Sequence, residues 1–175
     1  MSTVDKTKRA IAESLKHLLL KKSIAKITIS EIMAETGMSR MTFYYHYKDI
    51  YDLIEWICIE DAMSAVNGKL TADNWQQGLA LLLKTVRDNR ELVLRLYFAM
   101  DQVQLERCLT RITERLMTAL IGEEAISQEK RYTVNFYMFG IVGVMMEWIR
   151  DGMRETPEHI AALVADIVRL DLIQD

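Results

Sequence analysis

Between Thr28 and Lys48 the chain writes two helix starts and one helix stop in close succession, and this punctuation limits its fold more than any other feature. Thr28-Ile29-Ser30-Glu31 has the form of a capping box. The threonine oxygen can accept from the amide three residues on, and the Glu31 carboxylate can reach back to the Thr28 amide. A helix opened there runs through Ile32, Met33 and Ala34 and stops at Gly37, the residue best able to take the left-handed conformation past a helix end. Ser39 then offers a fresh N-cap. Helix, tight turn, helix is the arrangement of a helix-turn-helix.

The helix after Ser39 carries Phe43, Tyr44, Tyr45, His46 and Tyr47 in a row. At 100° per residue Phe43 and Tyr47 fall together on the side that must face the preceding helices, whereas Met41, Thr42, Tyr44, Tyr45 and Lys48 point away. An outward tyrosine joins a flat apolar body to a hydroxyl that can bond a phosphate. Thr42 and Tyr45 could meet a thymine methyl in the major groove. Upstream, Ile11, Leu15, Leu18 and Leu19 mark an amphipathic helix from about Asp5 to Lys22, whose polar face holds Lys8, Lys16 and His17.

The formal charge is only −3 but is unevenly spread. Residues 1–48 hold nine Lys or Arg and four acids, a net +5, and the remainder carries −8. Such asymmetry is what a small basic binding head on an acidic body would show; on charge alone the alternative is chance clustering of solvated lysines. A chain of 175 residues, half of them hydrophobic and with one proline, suits a mostly helical protein with a substantial core. Cys58 and Cys108 form neither a disulfide framework nor a CxxC metal site, which suits a reducing cytoplasm. The N-terminal segment lacks the pattern of a secretion signal. The most apolar run, Phe136 to Ile149, contains Glu147 and is shorter than the roughly 20 residues that span a bilayer, so no membrane partner is expected.

Past Asp49 a long connecting helix is expected to about Asn67, ending near Gly68, with Leu53, Ile54, Ile57 and Ile59 joining head to body. Helical spacing recurs in Trp75, Leu79, Leu82 and Val86, and in Leu92, Leu96 and Met100. A helix from Leu105 to Ile121 closes at Gly122, and the next starts near Ser127 and stops around Gly152. Thr156-Pro157-Glu158 opens a last helix with an N-cap, a first-turn proline and an acid on the positive end of the dipole; it carries Ile160, Leu163, Val164, Ile167 and Leu170. Gly140 and Gly143 lie on one face of their helix and let another helix approach, with Met145, Met146 and Trp148 adding apolar area. Gly140, Gly143, Met146, Trp148, Leu163 and Ile167 are the candidate dimer interface. Trp75, Tyr97, Met100, Met117 and Tyr137 are candidates for an apolar ligand pocket, whose chemistry the residues do not specify.

The run TISEIMAETGMSRMTFYYHYKDIYDL, Thr28 to Leu53, resembles the DNA-binding region of TetR-type transcriptional regulators, and the likeness extends over roughly residues 5–60. The resemblance implies that the residues at Thr28, Arg40, Thr42, Tyr44, Tyr45 and His46 touch DNA, Tyr44 and His46 mainly at phosphates and Arg40, Thr42 and Tyr45 nearer base edges. With Ser39, Met41 and Lys48 these make up the candidate DNA surface. Family members commonly have a lysine where this chain has Ile50, so an ammonium–phosphate contact is lost. The segment GIVGVMMEWIRDGMRETPEHIAALV resembles the C-terminal part of the DhaS-like subgroup, which is associated with dihydroxyacetone kinase operons.

The expectation is an all-α protein: a three-helix helix-turn-helix head (1–48) joined by a long helix to a helical-bundle dimerisation and effector domain (49–175). Its expected partners are a palindromic double-stranded DNA operator, a second copy of itself, and a small-molecule or protein effector. No cofactor and no metal are expected. Repression is the expected mode. His17, His46 and His159 are scattered over separate helices, and no HExxH, GxSxG, P-loop or GxGxxG run is present, so no catalytic residue is assigned. The alternative is a helical adaptor or coactivator-dependent regulator with weak intrinsic DNA binding.

Overall fold

The computed structural model describes residues 3–66, 74–121 and 128–168, and every regular element among them is helical. In chain order these are α1 (Thr3–Lys21), α2 (Ile29–Thr36), α3 (Arg40–His46), α4 (Ile50–Val66), α5 (Trp75–Asp88), α6 (Arg90–Ala99), α7 (Gln102–Ile121), α8 (Gln128–Arg150) and α9 (Pro157–Ile167), with a 3-10 turn at Ile24–Lys26 between α1 and α2. Gly68, Gly122, Ser127 and Leu170, expected at helix ends or on the last helix, lie outside the described residues.

Local chemistry sets the boundaries. The Thr28 hydroxyl accepts from the Glu31 amide while the Thr28 amide donates to the Glu31 carboxylate, a complete capping box. Gly37 takes φ 68° at the end of α2. At the end of α8, Gly152 stands at φ 79°; its amide donates to the Ile149 carbonyl and that of Met153 to the Trp148 carbonyl, a Schellman pairing. Thr156 then caps α9 by accepting from the His159 amide, with Pro157 in the first turn.

Two buried clusters share the structure. One is built from Ile11, Leu15, Leu19, Ile32, Met33 and Phe43 of α1–α3 together with Leu53, Ile54 and Ile57 of α4. The other gathers Leu82 and Leu83 of α5, Leu109 and Ile112 of α7, Val142, Met145, Trp148 and Ile149 of α8, and Ile160 and Val164 of α9. Helix α4 belongs to both, giving its first turns to the head and Ile59 and Ala62 to the body. Helix α6 is shared in the same way: Leu92 and Leu96 pack on the head cluster, Val93, Leu94 and Tyr97 on the body cluster. Two helices wedged between the cores can carry a rearrangement in one to the other.

The head is also tied through polar contacts. The buried Ser14 hydroxyl donates to the Ile32 carbonyl at 2.8 Å, fixing α1 against α2. Basic residues of α1 meet acids of α4: Lys16 Nζ lies 2.9 Å from Asp61 Oδ2, and Arg9 lies 3.9 Å from Glu60.

Candidate nucleic-acid interface

Helix α3 is short and two-faced because its N-cap, Ser39, and its core anchor, Phe43, sit four residues apart in sequence. Ser39 Oγ accepts from the Thr42 amide at 3.3 Å and bonds the Thr42 hydroxyl at 3.1 Å, so one serine starts the helix and orients the threonine. Phe43 is wholly buried, flanked by the Tyr44 and Tyr47 rings at centroid distances of 5.7 Å. Met41 and Tyr45 are 82% and 81% exposed, and Tyr44 is half exposed. Arg40 and Lys48 are exposed at either end of the helix, Ser39 and Thr28 are exposed, and Thr42 and His46 are half-buried. Thr28, Ser39, Arg40, Met41, Thr42, Tyr44, Tyr45, His46 and Lys48 therefore all come from the α2–α3 unit and the residues just beyond it.

Tyr47 closes α3 with extended backbone, and its ring packs edge-on to Trp56 of α4 at 6.0 Å. The Lys8 ammonium lies over both rings, 5.8 Å and 5.5 Å from their centroids, so this lysine of the first helix spends its charge inside the head. Burial, with the nearby Lys8 charge, pushes the His46 imidazole below its ordinary range and favours the neutral ring. Burial likewise raises the Tyr47 phenol, whose hydroxyl is enclosed with no hydrogen-bond partner.

The start of α4 has two carboxylates where the resemblance puts a lysine nearby. Asp49 Oδ1 accepts from the Asp52 amide and Asp52 Oδ2 accepts from the Lys48 amide, both at 2.9 Å. Ile50 turns onto the head core instead of outward. Its substitution for lysine thus removes a charge and adds packing.

The other expected sites fare differently. Gly140 and Gly143 of α8 are exposed, a Cβ at either would meet nothing within 4 Å, and Leu163 and Ile167 of α9 are 44% and 61% exposed. Met146 is half-buried against the body core. Trp148 corrects the sequence reading: it is 2% exposed within the single chain, and its indole N–H donates to the Glu155 carbonyl at 3.1 Å, so its surface is used to pin the α8–α9 turn. What sequence reading missed is that the face of α8 carrying Gly140 and Gly143 continues into exposed aromatics, Tyr132, Phe136 and Phe139 being 68%, 73% and 54% exposed. Their spacing of four and three was visible in the sequence, but it overlaps the buried set Met138, Val142 and Met145.

The expected pocket residues divide between two cavities. One of about 120 Å³ includes Tyr97 and Met100 in its wall; a second of about 60 Å³ includes Trp75 and Met117; Leu82 and Met145 border both. Tyr137 lines neither. The Trp75 indole nitrogen is buried without a hydrogen-bond partner. Cys58 and Cys108, distant in sequence, come together in the wall of the larger cavity, and the hydrogen bond with Cys58 together with burial raises the Cys108 thiol. Among the described residues no group of three or more His, Cys, Asp or Glu could hold a metal ion, and no helix is long and apolar enough to cross a membrane.

Comparison with known proteins agrees with this architecture. The family profile described as "Transcriptional regulator C-terminal region" matches residues 73–170. A relative from Lactococcus lactis subsp. lactis (strain IL1403), the HTH-type dhaKLM operon transcriptional activator DhaS, is 30% identical over 84 residues, 48% of this chain and 45% of that protein. The match thus spans less than half of the relative's length. A solved structure of a dihydroxyacetone kinase operon activator DhaS superposes with a TM-score of 0.63 at 21% identity, covering 92% of this chain and 93% of the other, and speaks for the fold. The chain is a member of the TetR-type transcriptional regulators, with a C-terminal region of the DhaS-like kind.

Proposed function

We propose that this regulator acts in the cytoplasm as a homodimer, a head of residues 1–48 reading one half-site of a palindromic operator and residues 49–175 holding the dimer contact and an effector site. The observation that carries the reading is the division of α3: a fully enclosed Phe43 holds in place a helix whose Met41 and Tyr45 are more than four-fifths exposed. A short helix that offers large side chains to solvent from a rigid seat is built to meet a surface. Arg40, Thr42 and Tyr45 take the base edges, and Tyr44, His46 and Lys48 the phosphates.

The dimer reading rests on α8. A helix apolar on two faces belongs inside a structure, yet Phe136 and Phe139 are exposed in one chain. A two-fold partner laid against α8 and α9, across Gly140 and Gly143, covers them and sets two heads about one DNA turn apart. An effector in the body would shift α4 and α6, which serve both cores, and change that separation. The relatives compared above are named as activators, and activation is the direction carried over here in place of repression.

The test is duplex binding across a salt series. Affinity falls steeply with salt in proportion to the phosphates contacted, and each lost contact lowers the slope by about one. Lys48→Ala should reduce the slope and weaken all sequences alike, whereas Thr42→Ala should alter sequence preference. A folded, dimeric protein that binds no duplex at low salt would favour the adaptor reading.

A further inference from the structure

The wall of the larger cavity is apolar apart from Thr85, Asn89, Tyr97, two thiols and one charged side chain, Asp61. That carboxylate is 45% exposed and is engaged by a lysine that is not part of the cavity wall. Lys16 Nζ of α1 lies 3.0 Å from its Oδ1 and 2.9 Å from its Oδ2, a two-oxygen contact between the head and the cavity wall. Lys16 also has a second acceptor on its own helix, Glu13 Oε1 at 3.6 Å. A cation arriving at Asp61 from the cavity side would therefore leave Lys16 with a partner and no stranded charge.

We infer that the larger cavity takes a small apolar amine, whose ammonium occupies Asp61 and displaces Lys16 toward Glu13, loosening α1 from α4. The inference rests on the effector reading above and names the chemistry of that effector. Size limits the class further: an apolar cavity of about 150 Å³ holds benzene, so about 120 Å³ admits a body of five or six heavy atoms. An acid is disfavoured because it would bring a second anion to Asp61, and a neutral alcohol gains no ion pair. The neighbouring Arg9–Glu60 pair joins the same two helices and is absent from the cavity wall. It provides an internal control.

The experiment is calorimetric titration of the full-length protein, without DNA, with n-butylamine, n-butanol and butyrate. The expected result is butylamine binding at least about tenfold tighter than butanol, with no measurable butyrate binding. Asp61→Asn should abolish the difference between amine and alcohol. Lys16→Met, by removing the competing ammonium, should tighten butylamine by about threefold, the scale of a half-exposed ion pair. Glu60→Gln should leave it unchanged. A purely structural Lys16–Asp61 bridge predicts no gain from Lys16→Met. Equal binding of amine and alcohol, absence of amine binding, unchanged or weaker amine binding in Lys16→Met, or an effect of Glu60→Gln equal to that of Asp61→Asn would each overturn the inference. Repeating the titration in the presence of bound duplex separates the two readings: amine binding with the expected variant pattern but unaltered duplex affinity supports the site and overturns effector control of DNA binding.

Discussion

Phe43 and Tyr45 stand two residues apart on one helix at opposite extremes of exposure, 0% and 81%. Their substitutions should separate stability from recognition. Phe43→Ala removes a core aromatic and should cost about 3–5 kcal/mol, read as a large loss in the midpoint of chemical unfolding. Tyr45→Ala should leave that midpoint within about 0.5 kcal/mol of wild type and change which duplexes are preferred. An unchanged preference would remove Tyr45 from the base-reading set.

Tyr47 should behave unlike its neighbours. Its hydroxyl is buried without a partner, so the chain carries an uncompensated desolvation cost there. Tyr47→Phe keeps the ring under Lys8 and against Trp56 and should raise stability by about 1 kcal/mol in thermal or urea unfolding. A fall of similar size would mean that the hydroxyl has a hydrogen-bond partner.

Acid should loosen the start of α2. The Lys22 ammonium, then the Thr28 amide and hydroxyl, hold the Glu31 carboxyl down to about 2 from its ordinary 4.5. A folded-state value below the unfolded one means that the unfolded chain binds the extra proton, so the stabilisation is complete above about pH 4.5 and is lost as pH falls toward 2. Unfolding measured from pH 5 to pH 2 should show a shallower decline for Glu31→Gln than for wild type. Parallel declines would place the acid sensitivity elsewhere.

The exposed face of α8 gives a test of assembly. A side chain added at Gly140 meets nothing within 4 Å in its own chain, so Gly140→Leu should leave the fold of the subunit intact. In the proposed dimer the same side chain enters the space where the partner approaches. Sedimentation should show Gly140→Leu dissociating at least about tenfold more readily than wild type while its helical circular dichroism is unchanged. An undisturbed dimer would move the interface off this face.

What the sequence made legible was local. Thr28, Gly37, Ser39 and Thr156 act on backbone groups within a few residues of themselves, so their types and spacing sufficed to place four helix ends. The two faces of α3 followed from 100° steps anchored on Phe43. Contacts between helices were not legible: the Ser14 bond to Ile32 and the Lys16 pair with Asp61 depend on how separate helices dock. Trp148 shows the same limit, since an apolar residue on a two-faced helix can serve either the core or a partner, and only packing decided that it closes the α8–α9 turn. The single expected pocket divided for a similar reason: Leu82 and Met145 border both cavities, with Tyr97 in the wall of one and Trp75 in the wall of the other.

The most direct test of the account is selection of bound duplexes from a random DNA pool at moderate salt, followed by sequencing. The account predicts a palindrome with half-sites about one helical turn apart, each weakened at its own positions by Thr42→Ala and Tyr45→Ala. Failure of the folded protein to enrich any sequence, or enrichment of isolated half-sites without fixed spacing, would contradict it.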